Sequence, residues 1–118
     1  MALSNTKIAI IEYDFAVDGG AIGTITPASN EHIPTGAVVL NMVGAVETTS
    51  VGAGATCSLK VGALVLSNAP AFNIVAPRNI VWTNGPGTTV AAGGEVVLTI
   101  GTAPISAGKV KIIIEYAY

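Results

Sequence analysis

One histidine, His32, and one cysteine, Cys57, are the chain's sole representatives of the side chains that most often combine as base and nucleophile. Such a pair also needs a group to orient the imidazole and an oxyanion site, and neither is signalled around these residues. His32 therefore reads as a loop residue between Glu31 and Ile33. Cys57 reads as a small buried apolar residue, because it alternates with Thr56 and Ser58 beside Leu59 and Val61. A lone cysteine also excludes an intrachain disulfide. Zinc asks for four ligands rich in nitrogen and sulfur, which one histidine and one cysteine do not supply. Calcium would have to begin from Asp14 and Asp18, and the dense acidic loop it requires is missing, so the two read as a strand-end acid and a turn acid. Glu12, Asp14, Glu47, Glu95 and Glu115 are scattered, with no spacing that brings two carboxylates to the roughly 5–9 Å of glycoside chemistry. Gly52-Ala53-Gly54 and Gly85-Pro86-Gly87 lack the Gly-Lys-Ser/Thr of a phosphate loop and read as turns. The expectation is a chain with no catalytic residue, no metal and no cofactor.

The elements that hold these residues read as strands. The run Gly108-Lys109-Val110-Lys111-Ile112-Ile113-Ile114-Glu115-Tyr116 places Val110, Ile112, Ile114 and Tyr116 on an apolar face and Lys111, Ile113 and Glu115 on a mixed one. Ile8-Ala9-Ile10-Ile11-Glu12-Tyr13 echoes its last six residues, so both ends of the chain are expected in the sheet framework. A long central strand is expected from Ala37 to Thr49, with Gly44 as a bulge or point of close approach. The strand Ala55–Val61 should pair with it as a hairpin across the turn Val51-Gly52-Ala53-Gly54. Shorter strands are expected near Ala21–Thr26, Ala71–Val75, Ile80–Thr83, Thr88–Val90 and Glu95–Ile100, with an emphatic turn at Asn84-Gly85-Pro86-Gly87. About eight short strands and no convincing helix predict an all-β, single-domain β-sandwich of jelly-roll type over residues 1–118, with 1–5 as an N-terminal arm.

Only 10% of the residues are charged, against roughly 25% in ordinary soluble domains, while 51% are apolar and the mean hydropathy is +0.67. The apolar windows are broken by Asn41, Ser67, Asn68, Pro70 and Asn73 well short of the ~18 residues a membrane span needs. With one tryptophan, three tyrosines and two phenylalanines, the aromatic girdles of a membrane barrel are not available either. An assembled subunit that hides much of its surface is the favoured explanation. The basic residues Lys7, Lys60, Arg78, Lys109 and Lys111 are scattered, which argues against nucleic acid as a partner. No charged segment followed by an apolar one opens the chain, so synthesis in a cytoplasm is expected.

Several phrases carry a resemblance. Ile33-Pro34-Thr35-Gly36-Ala37-Val38-Val39, Thr48-Thr49-Ser50 with Gly54-Ala55-Thr56-Cys57-Ser58-Leu59, and Leu98-Thr99-Ile100-Gly101-Thr102-Ala103 with Ser106-Ala107-Gly108-Lys109-Val110 resemble small β-rich virion proteins of tailed bacteriophages, of capsid decoration (cement) or head-fibre type. The resemblance implies a non-enzymatic subunit on the capsid surface, made in the bacterial host cytoplasm. It also implies contact with the major capsid protein and a homo-oligomer, a trimer before a dimer, with no membrane and no nucleic acid engaged. It carries over no site residue. From the residues themselves, Tyr13, Trp82, Ile113, Tyr116 and Tyr118 are the candidates for interface contacts. The alternative is a carbohydrate- or receptor-binding module of a tail or fibre, in which Trp82 or a tyrosine stacks on a sugar.

Overall fold

In the computed structural model of this protein, residues 6–62, 64–72, 78–83 and 88–118 are described. The expected arm at 1–5, the turn at 84–87 and all but the first two residues of the short piece expected at 71–75 lie outside them. Among the described residues there are ten strands and one short helix: β1 (Thr6–Asp14), α1 (Phe15–Asp18), β2 (Gly23–Ile25), β3 (Ser29–Asn30), β4 (Val38–Val51), β5 (Thr56–Val61), β6 (Leu64–Val65), β7 (Arg78–Trp82), β8 (Thr88–Thr89), β9 (Val96–Gly101) and β10 (Ala107–Ala117).

Strand β10 shows why the sequence folds this way. Its eleven residues alternate without interruption, Gly108, Val110, Ile112, Ile114 and Tyr116 buried and the residues between them partly exposed. One buried residue in every two matches the pleat of a sheet with one covered face. The strand is central, flanked by β1 and β4 along nearly its whole length, both antiparallel. The echo at the start of the chain is therefore its direct partner, with Ile11 opposite Ile112 and Tyr13 opposite Val110.

The larger sheet runs β3-β1-β10-β4-β7, with β8 also on β4; the smaller runs β2-β9-β5-β6. Leaving aside the two-residue β3 and β8, the orders β1-β10-β4-β7 and β2-β9-β5-β6 match position by position as pairs adjacent in the chain. That is the interleaved Greek-key order of a jelly roll. The fold is an all-β sandwich. Its core lies between the sheets and includes Ile11, Tyr13, Met42, Leu59, Phe72, Trp82, Leu98, Ile112 and Ile114.

The order also corrects the expected β4–β5 hairpin. These strands belong to different sheets, and β5 pairs with β9 and β6 instead. The segment around Gly52 turns a corner between the layers. A Cβ there would meet the Pro104 carbonyl oxygen at 2.7 Å, so the chain passes close to the segment that leads into β10. Alternation alone does not separate the two outcomes, since both bury Met42 and Val46 with Cys57, Leu59 and Val61.

Gly44 is a point of close approach. Its missing Cβ would fall 2.7 and 2.8 Å from the Trp82 ring and 3.1 Å from Val110. The register shifts of β4 lie elsewhere, opposite Glu115/Tyr116, Lys109/Val110 and Ala107/Lys109. They account for the consecutive exposed pairs Leu40-Asn41 and Glu47-Thr48 in an otherwise alternating strand.

Polar side chains stitch the layers together. The Trp82 indole N–H donates to the Cys57 carbonyl at 2.9 Å, from β7 to β5. The Asn30 amide donates to the Val96 carbonyl at 2.7 Å and accepts from its N–H at 3.0 Å, acting as a strand partner between β3 and β9. Asn30→Ala is expected to cost about 1–3 kcal/mol, because both backbone groups lose a partner in a partly buried place. Urea denaturation followed by circular dichroism measures it.

Candidate interaction face

The inner face of the larger sheet is covered by the smaller one, and its outer face carries the unusual residues. Adjacent outward positions of four strands line up as one row, Ile10 on β1, Ile113 on β10, Val43 on β4 and Val81 on β7. Ile10 is 38% and Val81 57% exposed, with Ile113 and Val43 partly exposed between them. Ile8, 57% exposed, and Leu40, 47% exposed, extend the apolar surface on one side. On the other side opposite charges face each other across β1 and β10, Glu12 beside Lys111 and Asp14 beside Lys109. Such cross-strand pairs favour the register. An apolar belt bounded by charge is the kind of surface that marks a protein contact.

The five candidate contact residues separate into two groups. Tyr13, Trp82 and Tyr116 are enclosed by the sandwich, at 0%, 2% and 7% exposure, whereas Ile113 lies in the belt and Tyr118 is 61% exposed. Parity explains this, since Tyr13 follows Ala9 and Ile11, Trp82 follows Ile80, and Tyr116 follows Ile112 and Ile114 on inward positions. Ile10, Val43 and Val81 were not singled out by the sequence. Each sits out of phase with the core, a visible signal, but their union into one row depends on strand order.

The other chemistry considered above has structural employment. The Asp18 carboxylate accepts the Asp14 N–H and the Ala28 N–H, both at 2.9 Å, and Asp14 accepts the Ala16 N–H at 3.0 Å as the cap of α1. These acids tie α1 to β1 and to the loop before β3. Among the described residues no group of three or more His, Cys, Asp or Glu is arranged to hold a metal ion. His32 is exposed on its loop, while Cys57 is fully buried.

Burial pushes the Cys57 thiol well above its ordinary 9.0. Burial, with Asp18, Cys57 and Asp14 nearby, pushes the Tyr13 hydroxyl from 10.0 up to about 12, and this hydroxyl donates to the Gly19 carbonyl at 2.6 Å. Both folded groups hold their protons more tightly than the unfolded chain does. Their stabilisation is complete below the unfolded values and is lost as pH rises toward the folded ones. Stability is expected to hold to about pH 9 and then decline toward pH 12 as first Cys57 and then Tyr13 would titrate on unfolding. Urea midpoints against pH should show a shallower decline above pH 10 in Tyr13→Phe.

No family model matches the chain, and no curated protein does. Solved structures do. A chain of the cyanophage Pam1 capsid asymmetric unit superimposes with a TM-score of 0.65 at 21% identity, over 97% of this chain and 85% of that one. A chain of the acidic stable capsid structure of Helicobacter pylori bacteriophage KHP30 gives 0.61 at 17%, over 98% and 90%. Both neighbours come from phage capsid structures. At these identities the likeness is one of fold, and it extends over nearly the full length.

Proposed function

We infer that this chain is a structural virion protein of a tailed bacteriophage, a capsid decoration subunit that binds the major capsid protein and stabilises the head by protein contacts. The observation that carries this reading is the apolar belt, which the described residues of the sandwich leave partly or largely exposed on its larger sheet. The fold likeness to chains in two phage capsid structures supports it, as does a composition with few charges to keep such a surface in water. A subunit of this kind works through buried area and needs no reaction centre. The sugar-binding alternative would rest on Tyr118 among the tyrosines and tryptophan, because Tyr13, Trp82 and Tyr116 are enclosed.

Quantitative mass spectrometry of purified particles tests the proposal. A capsid-wide decoration is present in hundreds of copies, on the scale of the shell's own symmetry. A few copies per particle, or failure of the purified protein to bind undecorated capsids, would overturn it.

A further inference from the structure

The β1 edge of the larger sheet is closed by side chains as well as by strand. The backbone N–H groups of Ile10, Glu12 and Asp14 point away from β10, and β3 pairs only with Ile11 and Glu12. Carboxylates take the two flanking groups. The Ile10 N–H donates to Glu31 Oε1 at 2.7 Å, and the Asp14 N–H donates to Asp18 Oδ2 at 2.9 Å. The Glu31 N–H in turn donates to the Ile10 carbonyl at 3.2 Å, so this rung of the ladder is half backbone and half side chain. The cause lies in the smaller sheet. Asn30 is held on the Val96 backbone, and Ile33 exchanges both of its backbone bonds with Gly94, so the chain is drawn away from β1 at Glu31.

We propose that Glu31 is an edge guard, whose carboxylate stands where a strand carbonyl would stand opposite Ile10 and keeps a further strand from adding to β1. Toward the start of β1 the next outward groups are the N–H and carbonyl of Ile8, beyond the two residues that β3 pairs. Thr6, Lys7, Ile8 and Ile10 are all exposed. An open edge of this kind is a template for pairing with another chain, and a sequence with 10% charged residues has few charges to hold copies apart. An incoming strand has to displace the carboxylate from the Ile10 N–H, a charge-assisted bond about twice as strong as a neutral one. If it does not, its own carbonyl oxygens come to lie beside that charge.

Asp18 brackets the other end of β3 in the same way, but it also accepts from the Ala28 N–H and so anchors the loop before β3. Glu31 is therefore the position at which guarding can be separated from folding. The role is distinct from that of the belt. The belt is a face made by side chains, whereas the guard acts on the backbone edge beside it, whatever the belt binds.

Hydrogen exchange and sedimentation of the purified chain test this. In Glu31→Ala the Ile10 amide should exchange about tenfold or more faster than in the wild type, while circular dichroism stays that of the folded chain. The variant should also associate beyond the wild-type state at roughly tens of micromolar. The Ile8 amide, fast to exchange in the free variant, should become protected in the associated species. Ile8→Pro removes that outward N–H without touching a bond to β10, and proline is tolerated where a strand N–H faces solvent. Glu31→Ala/Ile8→Pro should therefore sediment as the wild type does, whereas association through the belt or through unfolding would persist or grow worse. The proposal is overturned by a Glu31→Ala chain that loses its fold, keeps the wild-type exchange at Ile10 or sediments as the wild type does. Association that leaves the Ile8 amide fast, or a double variant that associates as the single one does, would overturn it equally.

Discussion

Ile112→Lys is expected to leave no folded protein at 25 °C, whereas Ile113→Lys, one residue further on, is expected to fold and to lose association. Ile112 is completely buried, between Ile11 on β1 and Gly44 on β4. An ammonium there has no partner on the inward face of β10, where its neighbours are Val110 and Ile114. The penalty of an uncompensated buried charge, several kcal/mol, is comparable with the ~5–15 kcal/mol that holds a domain of this size together. At Ile113 the long lysine stem can lie along the belt with its charge in water, and the cost to the monomer should stay within about 1 kcal/mol. The same charge then stands in the middle of the proposed contact. Circular dichroism and light scattering on both variants separate the two effects. Equal behaviour would refute the assignment of two faces to β10.

The second large effect is expected at Trp82. Removing its side chain in Trp82→Ala should cost about 3–5 kcal/mol, the range for emptying a large aromatic site in a core. The Cys57 carbonyl, which accepts from the indole at 2.9 Å, loses that donor as well. Gly44→Ala attacks the same contact from the other side. Its new methyl would sit within 2.8 Å of two ring atoms, and overpacking of this kind costs about 1–3 kcal/mol. Because both changes act on one contact, they should not add. Gly44→Ala should cost less in a Trp82→Phe background, where the outer ring is gone, and urea midpoints of the four proteins give the coupling directly.

These expectations show how far local pattern reaches. Alternation in β10 assigned Val110 to Tyr116 to their sides, and the structure keeps those assignments. Gly44 within a β-branched run pointed to a bulge or a close approach, and the structure shows the approach, with Trp82 in the space. Cys57, flanked by small polar residues, sits at 0% exposure as its position in an alternating strand required. The turn at Gly52 misled, because a glycine-rich turn reverses a strand within one sheet or carries it to the facing sheet with the same local chemistry. That choice rests on what β4 and β5 pair with across more than thirty residues of chain, namely β10 and β9.

The aromatic residues make the same point at the level of the site. Tyr13, Trp82 and Tyr116 drew attention as large, partly polar side chains, yet each stands at an inward position and is consumed by the core. Ile113 sits on the mixed face by its period, and that much the sequence determined by itself: an all-β chain, the inward and outward sides of its main strands, and one apolar residue out of place on the last of them. What only the tertiary structure decided is its company. Side-chain direction along a strand is a local property of the pleat, but the neighbours across a sheet depend on strand order. Only pairing β1, β10, β4 and β7 side by side turns Ile10, Ile113, Val43 and Val81 into one belt.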